Sequence, residues 1–240
     1  GRARVSNFDL RAWGAGGALG RITGDLKLSG SESGGVERTF RTESIAIARK
    51  FDALFEGNWV RGVLRADRIR LVHQGSRSTL NAKGEIRVVE NGPRLDLTGD
   101  WAQLRWPLVG AAPAIVASGG KFTLGGVWPY DITAGGQFDS PDLGETIPFN
   151  MSGQLAKQGL TIAKGDAKLY DGTAQLRGQV DWAPAERWQL AGTMRGLNPA
   201  RLRPALPGSI GFEFDMSGDA FGAEANLDAE FRNLQGRLRG

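Results

Sequence analysis

Apolar residues recur at every second position through most of this chain, and glycine repeatedly takes a place on that apolar side. In residues 178–194, Val180, Trp182, Trp188, Leu190 and Met194 share one parity with Gly178 and Gly192. Gln179, Asp181, Arg187, Gln189 and Thr193 hold the other. A period of two places one row against something apolar and the other in water, the pattern of a half-buried β-strand. Further runs follow it: Phe8 and Leu10; Ile22, Leu26 and Leu28; Leu80, Ala82, Ile86 and Val88; Ile147, Phe149, Met151 and Leu155; Ile210, Phe212, Phe214 and Met216; and Ala225 to Phe231. The longest runs from Phe122 and Leu124 through Trp128 and Ile132 to Phe138, with Val127 and Pro129 predicting a bend.

The glycines recur as apolar–x–Gly–x–apolar, centred on Gly24, Gly84, Gly99, Gly126, Gly153, Gly178, Gly192 and Gly218. Those at 99, 126, 153 and 178 are 27, 27 and 25 residues apart, the length of a two-strand unit, which reads as a degenerate internal repeat. Glycine inside a strand marks a bend, a bulge or a close approach. Repeated along a sheet, it lets the sheet curl. The predicted fold is therefore all-β: a long, curled, antiparallel-type sheet folded into a U-shaped trough, with an apolar concave and a polar convex face. The chain reads as a single excised segment over 1–240, with a weak internal boundary near 109–120.

Turn chemistry separates the runs at Asn91-Gly92-Pro93, Ser140-Pro141-Asp142, Ala183-Pro184-Ala185-Glu186 and Pro207-Gly208. Asp171-Gly172 predicts a two-residue hairpin loop. Asn198-Pro199 supplies a cap and a first-turn proline for a short helix over 199–206. Phe51, Leu54 and Phe55 have helical spacing and predict a second helical turn.

With 36 glycines but 40% hydrophobic residues, the chain is too apolar for disorder. Thirty basic and 26 acidic residues are interspersed, so no basic face for nucleic acid emerges. Without cysteine there is no disulfide, thiol chemistry or cysteine-ligated zinc. His73 is the sole histidine and reads as structural or exposed rather than as a metal ligand. Residues 14–20, GAGGALG, have Leu19 where a dinucleotide loop needs its third glycine, and Gly120-Lys121 lacks the rest of a phosphate loop. Residues 30–34, GSESG, have Glu32 where a nucleophile elbow needs serine. Glu213 and Asp215 share one strand face and read as solvated. No catalytic residue, metal or cofactor is expected.

An apolar trough wall needs an occupant or a second wall. The expected groove residues, taken from parity, are Phe122, Leu124, Trp128, Ile132, Phe149, Met151, Leu176, Val180, Trp182, Leu190, Met194, Phe212 and Phe214. Their expected ligand is an acyl chain. The alternatives are a groove or edge strand that binds unfolded β-strands as a scaffold or chaperone, and a closed structural sandwich.

The stretch GQVDWAPAERWQLAGTMRGLNPARLRPALPGSIGFEFDMSG (178–218) resembles the TamB family, within the AsmA-like, bridge-like lipid-transfer group. Gly-x-Val-x-Trp, the proline turn before a second Trp, Leu-Asn-Pro-Ala, Leu-Pro-Gly and the closing Ser-Gly strand carry it. The resemblance implies a periplasmic β-taco in a Gram-negative bacterium, anchored in the inner membrane by its parent protein. It implies phospholipid movement, outer-membrane biogenesis, protein secretion through the translocation and assembly module, and a TamA-type outer-membrane barrel as partner. That contact would fall to a region outside this segment. The family offers no catalytic residues.

Overall fold

The computed structural model describes residues 2–9, 21–27, 32–33, 37–41, 45–47, 51–60, 62–73, 75–90, 92–106, 115–140, 144–182, 187–219 and 226–238, with backbone only up to residue 51 and at 53, 59, 60, 106, 115 and 140. The expected turn at 183–186, Pro141-Asp142, Asn91, Leu10, Leu28, Ala225, the loop 14–20, and Gly30, Ser31 and Gly34 lie outside them, as do residues 109–114 of the expected boundary. The described residues are almost wholly strand and belong to one sheet, antiparallel in the ladders described below. By compactness the chain divides into two units, residues 1–104 with 119–132, and residues 105–118 with 133–240.

In the first unit, β1 (Arg2–Asp9) pairs with β2 (Arg21–Lys27), placing Gly24 opposite Val5. The short strands β3 (Glu32–Ser33), β4 (Glu37–Arg41) and β5 (Ile45–Ile47) lead to β6 (Phe51–Val60). A meander then runs through β7 (Val63–His73), β8 (Thr79–Val89) and β9 (Gly92–Trp106). The expected helical turn at Phe51, Leu54 and Phe55 is replaced by β6, which pairs with β7 along its whole length. Cross-strand hydrogen bonding overrides a spacing that by itself fits either element. Ala66, Ala82, Leu97 and Trp101 are buried on this meander.

β10 (Ile115–Gly126) and β11 (Tyr130–Ser140) straddle the boundary between the units. The long alternating run is broken here: Gly126 ends β10 at φ +86°, and a cis Trp128–Pro129 peptide precedes β11. The predicted bend is thus a full interruption between two strands.

The second unit is a meander of β12 (Glu145–Leu155), β13 (Gly159–Leu169), β14 (Gly172–Asp181), β15 (Arg187–Leu197), β16 (Gly208–Asp219) and β17 (Asn226–Leu238). The loop joining β13 and β14 is Tyr170-Asp171 rather than Asp171-Gly172, since Leu169 already pairs with Gly172. Both loop residues have positive φ, 49° and 65°, which matches the twist of a two-residue hairpin. Gly172 is fixed instead by crowding, because a Cβ there would lie 2.7 Å from the Leu197 nitrogen.

The helix expected over 199–206 contracts to a 3-10 turn, Pro199–Arg201. Asn198 caps it as expected, its side-chain oxygen accepting from the Ala200 N–H at 3.1 Å. Pro204, without an N–H, cannot continue a helix. Removing the cap by Asn198→Ala is expected to lower stability by about 1 kcal/mol, read as a shift in the urea midpoint.

Candidate apolar face

Register turns single-strand parity into rows that cross the second unit. One row is Met151, Gly165, Leu176, Gly192, Phe214 and Phe231. A second is Gly153, Ile162, Gly178, Leu190, Met216 and Ala229. Phe149, Ala167, Ala174, Met194 and Phe212 form a third, and Leu155, Leu160, Val180, Trp188, Gly218 and Leu227 a fourth. In the first two rows, glycine and a bulky residue alternate from strand to strand.

That alternation explains why glycine sits on the apolar side. A Cβ at Gly165 would lie 2.7 Å from Leu176 Cδ1, one at Gly178 2.8 Å from Leu190 Cδ2, and one at Gly192 2.9 Å from Phe214 Cζ. The Trp188 ring covers Gly218 in the same way, at 2.7 Å. Each large side chain lies sideways over the neighbouring strand's glycine, as in aromatic rescue. A second constraint is backbone approach: a Cβ at Gly84, Gly99, Gly153, Gly178 or Gly192 would fall on the carbonyl oxygen of Asp96, Asn81, Thr161, Gln189 or Gln175. Gly57 is held the same way by Arg65 O. It was not among the expected glycines, although Phe55-x-Gly57-x-Trp59 carries the same signature.

Most of this face is half-covered. Among the thirteen expected groove residues only Met194, at 5% exposure, is buried. It belongs to a small cluster with Tyr170, Ala174 and Leu197 at one end of the strands. Phe149, Met151, Leu176, Val180, Leu190, Phe212 and Phe214 are half-buried on the shared rows. Phe212 meets Phe231 edge-to-face at 5.3 Å, and Phe138 tilts on Phe149 at 5.8 Å. Trp182 lies just beyond β14. Its indole N–H donates to Lys157 O at 3.0 Å and its backbone N–H to Gln158 O, clamping the β12–β13 turn. The other four expected residues fall in or beside the first unit. Phe122 covers Gly99 and stacks on Trp101 at 6.3 Å. Leu124 and Ile132 are half-buried, while Trp128 is an exposed turn residue against Tyr130.

Sequence parity missed β13. Ala163 and Lys164 together oppose the interval between Gly178 and Leu176, a bulge that moves the apolar side from Leu160 and Ile162 to Ala167 and Leu169. Similar register shifts occur in β7 between Ala66 and Ile69, in β15 between Met194 and Leu197, and beside Asn233, at φ +52°, in β17. Each adds local bend and twist.

The polar side carries shallow basins. One, of about 500 Å³, is framed by Lys164, Gln175, Arg177, Thr193, Glu213, Asp215 and Arg232 above the Gly165–Leu176–Gly192 row. Glu213 pairs across the ladder with Arg232. Of the two readings of His73, structural or exposed, its burial favours the first. Its Nδ1 accepts from the Ser76 N–H at 3.1 Å, and Ser78 Oγ donates to Gln103 O, pinning the β7–β8 turn.

Glu145 organises the end of the sheet where Tyr170 sits. It accepts from the Tyr170 N–H at 2.9 Å and pairs with Arg201 at 2.6 Å. These contacts hold its carboxyl below the usual value of 4.5, the backbone hydrogen bond contributing most. A lowered folded-state pKa adds stability that is full above the unfolded value and is lost as pH falls through the folded one. The thermal midpoint of the wild type should therefore exceed that of Glu145→Gln at pH 7, and the gap should close below about pH 4.

A family model described as TamB, N-terminal domain, matches residues 62–240. The chain belongs to this family. Searches of curated proteins and of solved structures found no match. In this TamB-family chain the matched span takes in β7 to β17 entire, hence every row of the second unit. No helix among the described residues is long and apolar enough to cross a membrane.

Proposed function

We propose that this chain is a non-catalytic segment of a lipid conduit, its apolar face forming the wall of a trough that shields phospholipid acyl chains. The observation that carries the reading is the set of four continuous apolar rows left half-covered. Burying a large apolar side chain fully stabilises by about 1.5–3 kcal/mol, so a dozen half-covered ones forgo on the order of 10 kcal/mol. A bound apolar chain recovers that energy. Glycine rows and bulges are devices by which sheets bend, and their presence supports the proposal of a U-shaped, β-taco wall.

Family membership supports the setting: the periplasm of a Gram-negative bacterium, a parent anchored in the inner membrane, and a role in outer-membrane biogenesis. A TamA-type barrel is the proposed partner, through a region outside 1–240. Photo-crosslinking tests the face directly. A photoreactive residue at Leu190 or Phe149 should capture phospholipid in cells, while one at Gln189, on the polar side, should not. Equal capture from both sides would contradict the assignment.

A further inference from the structure

The end of the second unit built around Tyr170 carries a feature that the apolar rows leave unexplained. Between β15 and β16 the chain forms a compact knob. The Leu202 and Arg203 N–H groups donate to Pro199 O, and the Leu206 N–H donates to Arg203 O. Asn198 fastens the knob to the hairpin turn, donating from its backbone to Tyr170 O at 2.8 Å and from its side chain to Asp171 at 3.0 Å. Arg201 fastens it to Glu145. A loop held at three points nonetheless turns Leu202 and Leu206 outward, 63% and 39% exposed.

Cations outnumber acids at this rim. No acid occurs between Arg195 and Gly208. Arg195, Arg203, Lys168 and Arg237 are exposed; Lys168 and Arg195 both pair with Thr173 across the ladders, and Arg237 pairs with Ser209 beside the knob. The acids at this end are engaged: Glu145 by Arg201 and Tyr170, Asp171 by Asn198, and Asp139 by the Thr146 hydroxyl. At the opposite ends of the strands, Asp181 and Asp219 both pair with Arg187 across the ladders. Anchored leucines flanked by an excess of exposed cations match an anionic phospholipid surface, where apolar tips enter the headgroup layer and the cations meet phosphate.

We propose that this leucine-tipped basic rim rests on an anionic bilayer surface. The contact is separate from acyl-chain binding on the apolar face and needs none of its rows. Flotation of the purified chain with vesicles tests it, using phosphatidylethanolamine with one quarter phosphatidylglycerol against phosphatidylcholine alone. The chain should float with the anionic vesicles only, and release as salt rises. The double variant Leu202→Asp, Leu206→Asp should lower the bound fraction about tenfold, and Lys168→Glu with Arg203→Glu by a similar factor, both at unchanged thermal midpoint. Leu190→Arg should float like the wild type. Wild-type chain that fails to float, or a leucine double variant that floats equally well, overturns the proposal; in the first case the knob is a surface for a protein.

Discussion

Gly192→Val is expected to lower the unfolding free energy by about 3 kcal/mol, moving the urea midpoint strongly downward without a change in fold class. The reason is that Gly192 is enclosed on both sides of its ladder. A Cβ would fall on Gln175 O of β14 and lie 2.9 Å from both Leu176 Cα and Phe214 Cζ. Backbone of a central strand cannot yield as a flexible side chain does, so the β14–β15 ladder must part or Phe214 must leave its place. Gly119→Ala is the matched control: its nearest neighbour, Trp101 O, would stand 3.7 Å away, an ordinary contact. That change should cost less than about 1 kcal/mol. Equal losses at the two positions would mean that composition, not register, accounts for the glycines.

The second large effect concerns the ligand. Leu190→Arg with Phe212→Arg should abolish phospholipid binding while shifting the thermal midpoint by only a few degrees. Both side chains are half-buried on the apolar rows, so a long cation at either can turn its head toward water and keep its stem on the sheet. A bound acyl chain has no such freedom. Charges placed among the rows would expel it. Arginine at Ile147, 2% exposed, should instead unfold the region, because nothing there can solvate the charge.

The strands of the second unit were legible where alternation ran unbroken. β14, β15 and β16 each keep one parity over most of their length, and their glycines fall in phase. β13 was not legible, because the Ala163-Lys164 bulge reverses parity mid-strand, and two short runs of opposite phase cancel as a pattern. The β6 segment misled for another reason. Phe51, Leu54 and Phe55 satisfy a helical spacing, and pairing with β7 decided against it. For the apolar face, parity selected Leu176, Leu190 and Phe214, but it could not disclose that they cover Gly165, Gly178 and Gly192. That fact belongs to cross-strand register, which a single strand's sequence does not contain. Trp128 and Trp182 show the same limit: each continued an apolar parity, yet lies outside the ladders, where chain reversal rather than alternation sets its surroundings.

Native mass spectrometry of the chain, expressed in the periplasm and purified without detergent, tests the central claim most directly. The account predicts phospholipid adducts that survive gentle ionisation, are identified by extraction, and vanish in the Leu190→Arg, Phe212→Arg variant. A lipid-free monomer with well-shielded tryptophans would contradict it, leaving the four rows as the inner wall of a closed structural core.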